Sequence, residues 1–274
     1  MRKINKKLIV SDFDGTLLSS AHTVSGEVKN AINEYVSCGG IFAVCTGRML
    51  RSILPHVRAL GLKGLVVAYQ GTVIADIESG EIIKKNGINF RESAEICSYI
   101  NSLDQSVNAY SDEVLYTDIP KDNPYLLRYE SITGVEAVKV ETPISEYIEK
   151  NKLNCQKIAC LVSPDGRASL YKNLKEKFGA RFDVTCSADV LVELSPLGDN
   201  KGEALLYIAR HFNIPPESTV AVGDNLNDMA MIKTAQIGVA VGNAVEELKE
   251  CADYVTVTNN EGAVAKIIEK FGFI

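Results

Sequence analysis

Residues 8–17 are Leu8-Ile9-Val10-Ser11-Asp12-Phe13-Asp14-Gly15-Thr16-Leu17. Leu8-Ile9-Val10 is a short unbroken apolar run, the pattern of a parallel strand buried on both faces. Two carboxylates follow where that strand ends, two positions apart, so they can point to the same side. Gly15 permits a sharp turn behind them. Buried carboxylates are costly to desolvate unless paired with a cation or fully hydrogen-bonded. The stretch therefore reads either as a charged site or as a plain exit from a strand, with Asp and Gly serving turn chemistry.

Working outward, Val28, Ala31, Ile32, Tyr35 and Val36 recur at helical spacing, and Gly39-Gly40 stops that helix. Residues 41–44 read as a second strand, 49–60 as a second helix and 65–68 as a third strand. Apolar pairs at 73–74 and 82–83 suggest a hairpin turning at 78–80. The far end repeats the pattern. A helical face of Ala204, Leu205, Ile208, Ala209 and Phe212 precedes a strand at 219–222, a helix at 225–233 and a strand at 237–241. Val264, Ile267, Ile268 and Phe271 mark a closing helix. Strand–helix alternation predicts an α/β fold with a parallel sheet and right-handed crossovers.

The middle differs. From 86 to 189 the chain is richer in Tyr, Asn and Ser, and Pro120, Pro124, Pro143 and Pro164 punctuate short elements. Strand-like pieces at 108–110, 114–116 and 157–162 alternate with helix-like ones at 93–103 and 165–178. The expected organisation is a core of 1–85 and 190–274 with an α+β domain inserted at 86–189. One continuous open sheet is the alternative.

With 274 residues, 46% apolar and 23% charged, the chain has the composition of an ordinary globular protein. Its formal charge of −6 argues against nucleic acid or an anionic membrane as a partner. An anionic substrate would then need local cations, and a bound metal would supply them. The seven cysteines, at 38, 45, 97, 155, 160, 186 and 251, form no C-x-x-C pair and read as buried thiols in a reducing compartment. The basic start, 1–7, precedes too short an apolar run for a signal peptide, and no stretch approaches a membrane span. The expected location is cytoplasmic, and nothing in the chain indicates a protein partner.

Three further clusters stand at strand ends or helix starts. Gly223-Asp224-Asn225-Leu226-Asn227-Asp228 follows the strand at 219–222, and Asp224 and Asp228 would share one face of a first helical turn. In a parallel sheet the strand C-termini line one edge, where ligands bind, so both acidic clusters converge there. Several oxygen ligands together select magnesium. Thr46-Gly47-Arg48, just past a strand, offers a hydroxyl and free amides as an anion site. Lys201 opens a helix, a poor place for a cation on dipole grounds, which points to anion binding. Together these read as a phosphoryl-transfer site. No Walker loop or dinucleotide fingerprint is present in the sequence.

In this order, Asp12-Phe13-Asp14-Gly15-Thr16-Leu17, Thr46-Gly47-Arg48, Lys201-Gly202 and Gly223-Asp224-x-x-Asn227-Asp228 resemble the four motifs of the haloacid dehalogenase superfamily. The insert, and Glu193-Leu194-Ser195-Pro196 leading to Lys201-Gly202, are similar to its Cof-type branch, which implies a Rossmann-like core carrying a cap that sets specificity. The resemblance implies that Asp12 is the nucleophile and Asp14 the acid and base. It implies that Asp12, Asp14 (through its backbone carbonyl), Asp224 and Asp228 surround Mg²⁺, and that Thr46, Gly47, Lys201 and Asn227 bind the substrate phosphate. Many relatives have Asn-Gly after the third strand where this chain has Gln70-Gly71. Hinges are expected near 84–86 and 188–190.

The implied activity is hydrolysis of small phosphorylated metabolites, such as sugar phosphates or a phosphorylated vitamin. Asp14 stands where the superfamily's ATP-driven pumps have Thr, which favours hydrolysis. A phosphosugar mutase on the same site, or a non-catalytic binding protein of the same fold, are the alternatives. Tyr110, Tyr116, Tyr125 and Tyr129 in the insert are candidates either for stacking on a ligand or for packing.

Overall fold

In the computed structural model, which describes residues 2–188 and 190–274, β1 (Leu8–Ser11) is buried along its whole length. It leads into α1 (Gly26–Ser37), whose N-terminus is capped by the Ser25 side chain accepting from Val28 N. α1 buries Val28, Ile32 and Tyr35, the spacing read from the sequence. Then follow β2 (Ile41–Cys45), α2 (Leu50–Ala59), β3 (Leu65–Ala68), β4 (Val73–Asp76) and β5 (Ile82–Lys85).

The chain continues through α3 (Phe90–Ser102), β6 (Asn108–Ser111), β7 (Val114–Thr117), α4 (Pro124–Thr133), β8 (Val138–Lys139), α5 (Ile144–Asn151), β9 (Lys157–Leu161), α6 (Pro164–Phe178), β10 (Phe182–Ala188) and β11 (Leu191–Pro196). It closes with α7 (Lys201–His211), β12 (Thr219–Gly223), α8 (Met229–Thr234), β13 (Ile237–Ala240), α9 (Glu246–Cys251), β14 (Tyr254–Val255) and α10 (Ala263–Ile267). Two units result, Met1–Gly47, Ile53–Ile83 and Asn200–Ile274 in one, Arg48–Ser52 and Lys84–Asp199 in the other.

The first unit is built on an eight-stranded sheet in the order β14-β13-β12-β1-β2-β3-β4-β5. From β14 to β3 every pairing is parallel, and β4 joins β3 antiparallel. β1 lies between β2 and β12, with Ser11 opposite Val44 on one side and Val222 on the other. Its neighbours come from opposite ends of the chain, so β1 sits at a topological switch point. In open α/β sheets that is where a crevice opens beyond the strand C-termini.

The second unit has a six-stranded sheet, β10-β11-β9-β6-β7-β8, antiparallel except for β7 with β8. Ala109, Ile158, Cys160, Val192 and Leu194 on one face share a core with α3, α5 and α6. Strand alternation turns Asn108, Tyr110, Lys157 and Glu193 to the other face, and all four are buried. There the Lys157 ammonium lies 2.6 Å from Glu193 and 4.5 Å from the Tyr110 ring centroid. The second sheet includes β11 at 191–196, beyond the 189 expected as the end of the insert. Of the hinge expected at 188–190, Asp189 lies outside the described residues.

Three local expectations change. α4 and α5 occupy stretches where prolines punctuate short elements and no helix was expected. Pro124 stands in the first turn of α4, where its missing N–H costs nothing, behind an Asn123 cap that accepts from Tyr125 N and Leu126 N. Ile144 likewise begins α5 directly after Pro143. The helix expected at 225–233 opens as a 3₁₀ turn, Leu226–Asp228, before α8. Of the tyrosines weighed as stacking groups, Tyr116 packs its ring 5.4 Å from Tyr147, and Tyr110 meets Tyr129 edge-on at 6.4 Å. Among the described residues, no helix is long and apolar enough to cross a membrane.

Candidate active site

Parallel strands ending at one edge deliver the site. Asp12 N donates to Val222 O at 2.9 Å, extending the pairing one residue past β1 and setting Asp12 at the sheet margin. The chain then turns through Phe13–Leu17, anchored by fully buried Phe13. Gly15 adopts φ +79°, and a side chain there would bring its Cβ within 2.5 Å of Asp224 Oδ2. Thr16 Oγ1 donates to Asp224 Oδ1 at 2.7 Å. The first acidic cluster is thus stitched to the last across more than two hundred residues of sequence.

Asp224 and Asp228 meet, although not as neighbours on a helix face. Asp224 precedes the 3₁₀ turn, and Asp228 reaches back so that its Oδ2 accepts from Asp224 N at 2.9 Å and Asn225 N at 3.1 Å. This is a capping box, in which a carboxylate at the third position satisfies orphan amides at the helix start. The other oxygen, Oδ1, accepts from Lys201 Nζ at 2.6 Å. Lys201 is the first residue of α7, whose amides are capped by the Asn200 side chain accepting from Gly202 N and Glu203 N. Its ammonium also donates to Asp12 Oδ1, and no part of its side chain reaches solvent.

Charge in this pocket is unbalanced. One oxygen from each of Asp12, Asp224 and Asp228 lies within 4.8 Å of the others, and the Lys201 ammonium pairs with Asp12 and Asp228. Burial raises the Asp12 pKa well above the usual carboxylate value, Lys201 opposes that, and Asp228 and Asp224 add to the rise. Burial, then the Asp228 charge, pushes Asp224 up to about 6. Burial works against the Lys201 ammonium, yet Asp12 and Asp228 outweigh it and its pKa lies above the ordinary lysine value. Excess negative charge on hard oxygen donors fits a divalent cation such as Mg²⁺ better than a thiophilic metal. The Asp14 side chain does not belong to this trio.

Thr46 follows β2 and is buried, its amide donating to Val67 O at 3.0 Å. Asn227 is brought to a residue outside the expected set, with its Nδ2 donating to Gln70 Oε1 at 3.1 Å. Arg48 is buried and donates to Ile132 O at 3.3 Å within the second unit. Two supports escaped the sequence reading. Thr16 lay inside the first motif without an assigned role. Asn243 donates to Gly15 O at 2.8 Å and stands just past the end of β13, so strand-end position was the available signal.

The sequence profile described as haloacid dehalogenase-like hydrolase matches residues 9–268. The chain is 34% identical to the phosphatase YwpJ of Bacillus subtilis strain 168, over 96% of this chain and 99% of that protein. It is 29% identical to the 5-amino-6-(5-phospho-D-ribitylamino)uracil phosphatase YcsE of the same organism, over 97% and 95%. Among solved structures, a haloacid dehalogenase-like hydrolase from B. subtilis superposes with a TM-score of 0.85 at 28% identity, covering 96% of this chain and 99% of that one.

Proposed function

The chain belongs to the haloacid dehalogenase-like hydrolase family, and from that premise we propose that it is a Mg²⁺-dependent phosphatase of small phosphorylated metabolites that works through a phosphorylated Asp12. The observation that carries this reading is the buried junction of Lys201 with Asp12 and Asp228, beside Asp224. A carboxylate held at a strand end, next to an ammonium and surplus acidic charge, suits attack on an electrophilic phosphorus.

Asp12, Asp224 and the Asp14 carbonyl would hold the metal, with Asp228 bracing the set. When bound, the metal neutralises charge on the phosphoryl oxygens and on the carboxylates. Asp12 attacks phosphorus as the bond to the leaving oxygen breaks, and Asp14 gives that oxygen its proton. Water then attacks the phosphorylated Asp12, Asp14 takes the water's proton, and inorganic phosphate leaves with Asp12 regenerated. Thr46, the amide of Gly47 and the Lys201 ammonium hold the phosphoryl oxygens through both steps, where charge stabilisation matters most.

The substrate class follows from relatives such as the ribitylaminouracil phosphatase, whose substrate is a small phosphate monoester. The second unit, Arg48–Ser52 with Lys84–Asp199, acts as the specificity cap on this reading. The test is release of inorganic phosphate from a panel of phosphorylated metabolites, with and without Mg²⁺, against Asp12→Asn. Magnesium-dependent release that vanishes in the variant is expected. No release above the variant would remove the reading and bring mutase or binding functions forward.

A further inference from the structure

Beyond β3 the chain makes an unusual turn. Tyr69, Gln70 and Gly71 have φ of 50°, 62° and 119°, three successive residues on the positive side, and all are buried. Two non-glycine residues held there are strained, and such strain persists only where the surroundings over-determine it, often at functional sites. The surroundings here are three of the four motif clusters. Gln70 N donates to Thr46 O at 2.9 Å, locking the turn to the loop after β2. A Cβ on Gly47 would fall 2.4 Å from Gln70 Nε2, so the nitrogen end of the side-chain amide occupies the space a side chain there would take. At its other end Gln70 Oε1 accepts from Asn227 Nδ2. A Cβ on Gly71 would fall 2.6 Å from Asn200 O, the residue that caps the helix beginning with Lys201.

We infer that Gln70 is a positioning residue for the phosphoryl-transfer site, its amide spanning from Gly47 to Asn227 and fixing the Asn227 side chain in the orientation catalysis uses. The inference rests on the phosphatase reading above. A left-handed position favours Asn or Gly over Gln, so the longer side chain is kept against a backbone cost, and what it adds is reach. Accepting from Asn227 commits one of that amide's two hydrogens and sets its plane. The Asn227 Oδ1 is left buried without a partner, held for a donor arriving with the substrate or its bound water.

The test uses the whole chain with Mg²⁺ present. Turnover is followed on a simple aryl phosphate, and inorganic phosphate binding by calorimetry. Gln70→Met keeps length and removes the amide, and about a tenfold loss of kcat with KM within threefold is expected. The same substitution in an Asn227→Ala background should cost less than twofold, because the residue acts through Asn227. Gln70→Glu keeps the acceptor for Asn227 but sets a negative charge against Gly47, so it should raise KM and the phosphate Kd while retaining the coupling. If Gln70→Met does not fold, Gln70→Asn, which suits the backbone, replaces it in the same cycle. Unchanged kcat in the folded variant, or an equal loss with and without Asn227, overturns the inference and leaves the phosphatase reading standing. Wild-type protein that neither releases nor binds phosphate removes both.

Discussion

The ammonium of Lys201 lies 2.6 Å from the carboxylate of Asp228, and neither side chain has any exposed surface. Around this pair the protein has assembled more acid than base, with Asp12 and Asp224 within reach of the same point. A fold whose centre is electrostatically frustrated without a cation has stability and activity linked at the same residues.

Removing Lys201 should expose that linkage. Lys201→Met leaves buried carboxylates without their counter-ion, and losing one partner of a buried pair costs about 3–5 kcal/mol. Urea unfolding of the metal-free variant should fall by that amount. Phosphate release should drop by about 10²–10³-fold, the range for losing one preorganised charge in a closed site. Magnesium should recover part of the stability and little of the activity.

Asp224 predicts an uncommon pH dependence for the metal-free protein. Its folded pKa of about 6 lies above the ordinary 3.8, so between those values the folded state binds more protons than the unfolded one. Stability should therefore decline as pH rises from about 4 to about 6 and level off beyond, by about 2–3 kcal/mol from this group. Denaturation across that range should trace the decline, and Asp224→Asn should flatten it. Magnesium at about a hundred times its Kd should restore about 2.7 kcal/mol at neutral pH.

The second unit carries its own buried pair, Lys157 with Glu193, each about 2% exposed. Lys157→Met alone should destabilise by about 3–5 kcal/mol, since it strands Glu193 in a dry sheet face. Lys157→Met with Glu193→Leu should recover most of that loss. A double variant no more stable than the single would mean that the pair's hydrogen bonds, rather than its charge balance, hold this face together.

The thiols should separate cleanly. Burial pushes Cys155 and Cys160 up to about 12 and Cys97 well above the ordinary thiol value, whereas Cys251 is exposed. At pH 8, a chromogenic disulfide reagent should react quickly with Cys251 in the native protein and with all seven cysteines after unfolding. Fast labelling of Cys97, Cys155 or Cys160 would show that the core of the second unit opens readily.

Much of this was legible in one dimension because its signals are local. Leu8 to Val10 announces a strand by being uniformly apolar, and Val28, Ile32 and Tyr35 announce a helix by their spacing. Asp12, Thr46 and Asp224 draw notice because each follows such a strand directly. α4 and α5 were missed because proline carries opposite meanings at a helix start and inside one; a cap at Asn123 marks the start of α4, whereas α5 follows Pro143 with no side-chain cap.

Period and position in the sequence were enough for most of the strand–helix alternation of the first unit and for the polar residues set at its strand ends. Tertiary structure alone decided how those residues join. Asp228 reaches back to the amide of Asp224 rather than sharing a helix face with it. Lys201 chooses two of the available carboxylates, and Gln70 finds Asn227 at a separation of 157 residues. Such partnerships depend on which buried polar groups would otherwise go unsatisfied, and that is settled only when distant segments pack and exclude water.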